Sequence, residues 1–232
     1  MNDCTSYFFK WHYGLLPAIT LLLGANHAAA MSWEGSLTAT TEYVSKRGIS
    51  LTDRKPALQP ELHASTTNGS YFGIWASNVD FDPVWGEVDL YAGIMRPVAG
   101  RLKTGIGIFH YQELGDSSQN FQDYFVNARY GKYFEVMYSY SPDFSGIDQQ
   151  TGGLAEFIGT MPVTKETSIK LYGGRMNFWG KADSLKNYNI WQVSLRRLYG
   201  KLDARLNYSD TTSDQFRGRA DRRVYLSLKY GL

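Results

Sequence analysis

The sequence predicts an all-β fold, a transmembrane antiparallel β-barrel of about 12 strands with both termini on the periplasmic side. Three observations carry this expectation. From residue 33 onward the chain divides into short segments of alternating apolar and polar residues, the period-two signature of strands with one greasy and one wet face. The gaps between segments alternate long and short, as in a barrel with short periplasmic turns and longer outer loops. After the leader, no stretch approaches the roughly 20 consecutive apolar residues that a membrane-crossing helix needs.

Residues 1–30 read as a cleaved secretory signal, because Lys10 precedes an apolar stretch over 15–25 that ends in Ala28-Ala29-Ala30. Residues 31–232 are then the barrel domain. The only cysteine, Cys4, falls in the leader, which excludes disulfides, thiolate metal sites and cysteine nucleophiles from the mature chain. Long connections are expected at 45–56, 78–85, 113–120, 141–153, 179–187 and 209–221, each rich in Gly, Asp, Ser or Asn. Tight ones fall between them at 67–70, 96–100, 131–132, 164–167 and 199–201. Asn68-Gly69 in the first is a strong hairpin signal, since both central turn residues need positive φ.

Within the segments, parity assigns the faces. Leu102, Thr104, Ile106 and Ile108 share one side, as do Tyr124, Val126, Ala128 and Tyr130, then Trp191, Val193 and Leu195, then Leu202, Ala204, Leu206 and Tyr208. The third segment, 71–77, is apolar on both sides. Tyrosines near segment ends, Tyr43, Tyr91, Tyr111, Tyr130, Tyr140, Tyr188, Tyr208 and Tyr230, are expected in two interfacial girdles, where a ring with a polar tip sits at headgroup level. The last segment places Val224, Leu226, Leu228, Tyr230 and Leu232 on one face, resembling the C-terminal signal of outer-membrane insertion, with Leu232 where Phe is usual. Soluble sandwiches share the aromatic composition, but not the girdle placement or the charged inner faces.

Ionisable residues on the opposite faces divide along the chain. Acids dominate early, with Glu42, Glu61, Glu87, Asp89, Asp123, Glu135 and Glu156. Bases dominate late, with Lys170, Arg196, Arg205, Arg223 and Lys229, while Lys103, Arg129 and Asp203 are exceptions. In a closed barrel sequence order becomes angular position, so the split predicts a field across the lumen, which tunes selectivity as rings of charged side chains do. A plainer outcome is mutual neutralisation, because the last strand meets the first on closure and brings Arg223 and Lys229 towards Glu42. Barrel size leaves both open, since twelve strands fall between filled eight-stranded barrels and open sixteen-stranded porins.

The N-terminal third, through Thr38-Ala39-Thr40, Tyr43, Arg47-Gly48-Ile49-Ser50, Pro56-Ala57-Leu58-Gln59, the run from Gly73 to Phe81 and that from Glu87 to Gly93, resembles the TorF-like porins of proteobacteria, a conserved domain of unknown function. The resemblance implies an outer-membrane barrel with a channel role and names no substrate. Val44-Ser45-Lys46 departs from the aromatic run expected before Arg47. Arg47 and Gly48 open the first outer loop, and Asn78 and Asp80 lie where the third strand enters the second. An Arg47–Asp80 ion pair folding a loop inward is the expectation at the barrel mouth.

His63-Ala64-Ser65 is the one segment with catalytic pull, because a His and a Ser two apart on a strand share a face, and similar spacing occurs in outer-membrane lipid hydrolases. Parity turns both towards the lumen and away from lipid, and Thr66 stands where those enzymes carry Asn. No cofactor and no metal site are expected, since His63 and His110 have no clustered ligand partners. The balance of 24 basic to 22 acidic residues disfavours nucleic-acid binding. The expected role is a Gram-negative outer-membrane channel for passive diffusion of small hydrophilic solutes, with outer-membrane lipids, lipopolysaccharide and the insertion machinery as partners. The alternatives are a non-conducting barrel acting through its outer loops, and a lipid-modifying hydrolase built on His63 and Ser65.

Overall fold

Apolar–polar alternation settles each segment as a strand because only a pleated ribbon sends successive side chains to opposite sides. A computed structural model describes residues 30–147, 150–180 and 185–232. The strands are β1 (Met31–Thr40), β2 (Ala57–Thr66), β3 (Ser70–Phe81), β4 (Val84–Ala99), β5 (Leu102–Leu114), β6 (Phe121–Tyr130), β7 (Phe134–Ser141), β8 (Gln150–Pro162), β9 (Thr167–Gly180), β10 (Tyr188–Tyr199), β11 (Leu202–Thr211) and β12 (Arg223–Gly231). Each pairs antiparallel with its sequence neighbours, and β1 pairs with β12 to close the barrel. Closure leaves no edge strand with unpaired backbone groups, the condition for a sheet to face lipid. The proposed leader lies outside the described residues, apart from Ala30.

The outward faces carry exposed apolar residues in the expected parity, including Ile106, Val126, Val193, Leu206, Val224, Leu226 and Leu228. Ala64 also faces outward but is buried, because its cross-strand neighbours Trp33 and Phe72 meet edge to face at 5.7 Å. Tyr130, Tyr140, Tyr208 and Tyr230 are exposed as girdle residues would be. Tyr43, Tyr91, Tyr111 and Tyr188 depart from the girdle expectation. Tyr111 and Tyr188 are 4% and 1% exposed, Tyr91 bonds to Glu61, and Tyr43 packs against Trp75, so all four turn inward.

Both described ends lie with the short turns. At the other end, the connections are 41–56 (L1), 82–83, 115–120, 142–149, 181–187 and 212–222 (L6). The expected long loop at 78–85 is therefore only two residues. A register irregularity between Asn78 and Phe81 lets β3 continue past Asn78, and Phe81 pairs with Val84. The expected gap at 113–120 is shortened likewise, because β5 runs on to Leu114 and carries Glu113 inside the barrel.

Candidate functional site

L1 does not stand out from the barrel mouth; it folds into the lumen. Its base is tied to the wall by backbone bonds from Thr41 N to Leu226 O and from Asp80 N to Leu51 O. L6 holds it from above, with Ser50 N donating to Arg219 O and Arg219 Nη1 donating to Ser50 O. Its tip reaches strands nearly opposite β1 in the barrel order. Arg47 Nη2 donates to Asp123 Oδ2 on β6 at 2.8 Å, and Lys46 Nζ lies 3.0 Å from the same oxygen. Tyr172 on β9 and Tyr188 on β10 donate their hydroxyls to the carbonyls of Lys46 and Arg47 at 2.5 and 3.0 Å.

Gly48 permits this path. Its φ of +73° is in the left-handed region, and a Cβ there would lie 2.6 Å from Thr211 Cγ2 and 2.9 Å from Ile190 Cγ2. Asp123 also accepts from Tyr111 at 3.0 Å and from Ser141. The Arg47 guanidinium stacks near Tyr111, Phe121 and Phe144, with centroids at 5.0, 4.9 and 5.3 Å. Burial opposes the Arg47 charge, but the Asp123 carboxylate, with Tyr111, Tyr188 and Glu87, outweighs it and holds the guanidinium above its ordinary value. Burial, reinforced by Glu87 and Asp89, raises the Tyr43 phenol well above its ordinary value.

The expected Arg47–Asp80 pair is therefore replaced by Arg47–Asp123. Asp80 instead binds Lys55, and its carbonyl accepts from Arg219 at 2.8 Å. The reason is reach: the tip of L1 passes into the lumen, while Lys55 at its base is next to the end of β3. Asn78 latches the same base, accepting from Leu58 N at 2.9 Å and donating to Pro56 O at 3.0 Å.

Several of the anticipated lumen charges meet in pairs. Arg223 binds Glu42 where β12 meets the base of L1, and both are buried. Lys229 reaches Glu61 at 2.8 Å, and Glu61 also accepts from Tyr91 and Ser36. Arg129 binds Glu135 at 2.8 Å. Arg196 and Arg205 share Asp203 at 2.9 and 2.6 Å. Glu156 Oε1 lies 3.1 Å from the Tyr172 hydroxyl, whose proton goes to Lys46 O, and Lys170 sits opposite Ser194 and Thr160 on the same wall as Arg196. Glu87 and Asp89 on β4 stand apart, joined by Glu113, and each of the three has an oxygen without a hydrogen-bond partner among the described residues.

An aromatic wall runs along the inside of β2 to β6 and was not anticipated. His63 stacks with Tyr71 and Tyr91 at 5.9 and 5.8 Å, and the series continues through Phe109, Tyr111 and Phe121. Inward glycines make room for it: a Cβ on Gly73 would lie 2.3 Å from the Tyr91 ring, and one on Gly107 2.4 Å from that of Phe125. These are cross-strand partners, so an aromatic residue facing a glycine at inward parity is the sequence signal that would have revealed the wall. His63 Nδ1 lies 3.1 Å from the Tyr91 hydroxyl, while Ser65 Oγ lies 3.0 Å from Ser32 Oγ. His63 and Ser65 are thus engaged elsewhere and do not form a base and nucleophile pair.

Two cavities flank L1 inside the barrel. One, of about 370 Å³, is bounded by L1, the aromatic wall, Glu87, Asp89 and Glu113. The other, of about 250 Å³, is polar and lined by Glu42, Gln192, Asp203, Arg205, Asn207 and Lys229.

Solved structures share this architecture. The NanC porin superposes with a TM-score of 0.58 at 12% identity, covering 85% of this chain and 97% of that one. The KdgM porin gives 0.55 at 10% identity, covering 86% and 98%. A KdgM structure described as a complex with disordered oligogalacturonate gives 0.54 at 8% identity, over 86% and 98%. At such identities the likeness is one of fold. No curated protein matches the chain by sequence. A family model described as a bacterial protein of unknown function, Gcw_chp, matches residues 24–229.

Proposed function

We propose that this chain, which belongs to the Gcw_chp family, is an outer-membrane channel of a Gram-negative bacterium, passing small hydrophilic solutes by diffusion through a lumen narrowed by L1. The observation that carries the reading is a closed barrel with an apolar exterior whose polar interior holds a loop pinned to the far wall by Arg47 and Asp123. A loop held in this way narrows the passage while leaving cavities on both sides. The short-turn end, with the chain termini, faces the periplasm, and the L1 and L6 end faces outward into lipopolysaccharide. The fold likeness to porins and the resemblance to TorF-like porins support the same reading.

The charges left after pairing give the lumen its polarity. Glu42, Glu61 and Glu135 are neutralised by Arg223, Lys229 and Arg129. What remains is an acidic patch at Glu87, Asp89 and Glu113 near the outer-loop ends of β4 and β5, and a basic one at Lys170, Arg196 and Arg205 near the short-turn ends of β9, β10 and β11, where two arginines share one aspartate. Such a field sorts permeating ions by sign and orients dipolar solutes.

Liposome swelling with neutral sugars of increasing size tests the proposal. Swelling that falls off with solute size is expected; swelling no faster than that of protein-free vesicles refutes it. A non-conducting barrel working through its outer loops is the second reading, favoured by the number of bonds that hold L1 across the lumen.

A further inference from the structure

We propose that the cavity beside L1 is a binding site for an alkylammonium solute, and that Lys46 occupies it as a tethered stand-in; resting on the channel reading above, this names the solute class favoured at the constriction. Three properties of the cavity converge. First, each of its carboxyl groups keeps one bare oxygen: Glu87 Oε2, Asp89 Oδ1 and Glu113 Oε2 have no hydrogen-bond partner among the described residues. The nearby hydroxyls of Tyr111 and Tyr91 are committed to Asp123 and Glu61, and that of Tyr43 meets Glu87 without reaching the bare oxygens. Glu87 and Glu113 are only 5% and 8% exposed, so their bare oxygens forfeit most hydration and favour an occupant that brings donors.

Second, the walls are aromatic faces, whose quadrupole attracts cations. Lys46 Nζ already exploits this, 4.8 Å from the Phe109 centroid and 5.7 Å from that of Tyr111. Third, the volume of about 370 Å³ falls within the roughly 300–1,000 Å³ of small-molecule sites.

The occupant that fits carries positive charge and several N–H donors at one end and apolar carbon behind. A primary alkylammonium has both. An anion would face the carboxyl groups, a neutral sugar would bring no charge to favour their ionised form, and they are not arranged as metal ligands. Lys46 is displaceable, because its Nζ makes no aligned hydrogen bond, and Arg47 keeps Asp123 paired at 2.8 Å when Lys46 withdraws.

Isothermal titration of the detergent-refolded full barrel with n-butylammonium, which reproduces the Lys46 side chain, is the test, with n-butanol and butyrate as neutral and anionic counterparts. Wild type is expected to bind n-butylammonium saturably and neither counterpart. Lys46→Ala vacates the seat and is expected to tighten binding about tenfold, while Glu87→Gln weakens it about tenfold. Equal binding of n-butanol, absence of binding in both wild type and Lys46→Ala, or no effect of Glu87→Gln overturns the site. Should Lys46→Ala fail to fold, Glu113→Gln takes its place, and an affinity equal to wild type counts against the site. Liposome swelling on the same preparation separates the two readings: binding without solute flux overturns the channel and keeps the site, and flux without binding does the reverse.

Discussion

Arg47→Met removes the charge that pins L1 to the far wall while keeping an unbranched apolar stem. Asp123 is 1% exposed and Arg47 8%, so the substitution leaves a carboxylate with little access to water. Breaking a buried pair from one side costs about 3–5 kcal/mol. Two contacts lessen the loss here, since Lys46 Nζ remains 3.0 Å from the same oxygen and Tyr111 still donates at 3.0 Å. Methionine forfeits the attraction of the Tyr111, Phe121 and Phe144 rings for a cation, about 0.5–2 kcal/mol. With Lys46 and Tyr111 offsetting about half of the pair's cost and the ring attraction lost at its lower end, the net loss is about 2–3 kcal/mol. At tenfold per 1.4 kcal/mol, the detached form of L1 rises roughly 30- to 140-fold in population. Amide hydrogen exchange in detergent micelles reads this at Gly48 and Leu51, whose N–H groups donate to Ser45 O and Tyr43 O within the loop. Both should exchange faster by that factor, with a lower urea midpoint. Wild-type exchange at both amides, with an unchanged midpoint, would refute the anchoring argument.

Other expectations concern the same loop and its surroundings. Gly48→Ala, placed at φ +73° with its Cβ against Thr211 and Ile190, should cost about 1–2 kcal/mol from the backbone alone and raise proteolytic cleavage of L1; wild-type resistance would count against the inward path. Arg223→Met strands the buried Glu42 and should lower barrel stability by about 3–5 kcal/mol, with most of it regained in Glu42→Leu/Arg223→Met, as read from urea unfolding; an equally unstable double variant would contradict this. Combining Lys170→Gln, Arg196→Gln and Arg205→Gln should move the reversal potential in a salt gradient towards cation preference, and an unmoved potential would remove the basic wall from selectivity. Because the Tyr43 phenol is raised above its ordinary 10.0, its contribution to stability is complete below that pH and declines above it. Unfolding midpoints measured from pH 8 to 11 should therefore fall less steeply in Tyr43→Phe than in wild type, and an identical slope would discount the burial of that hydroxyl.

The barrel was legible because its cause is local. Period-two alternation in segments such as 102–108 and 191–195 fixes which side meets lipid, and chain order fixes the neighbours. The pairing of Arg223 with Glu42 followed from closure of β12 on β1. The site was less legible because it is made by contacts across the lumen, which leave no periodic trace. Lys46 and Arg47 lie in a polar loop that looks solvated, and nothing nearby in sequence points to Asp123, Tyr172 or Tyr188. Tyrosines near strand ends fit a girdle by position, yet Tyr91 and Tyr111 share parity with Asp89 and Glu113 and so point inward; parity outweighs position along the strand. The third segment is apolar on both faces because its inner face, with Tyr71 and Trp75, belongs to the aromatic wall.

Planar-bilayer recording tests the central claim most directly, comparing the wild-type barrel with one in which residues 45–50 of L1 are replaced by a glycine pair. A stable unitary conductance that rises when the tip of L1 is removed is the predicted result. A reproducible absence of unitary steps in both proteins, with each shown to be folded, would contradict it.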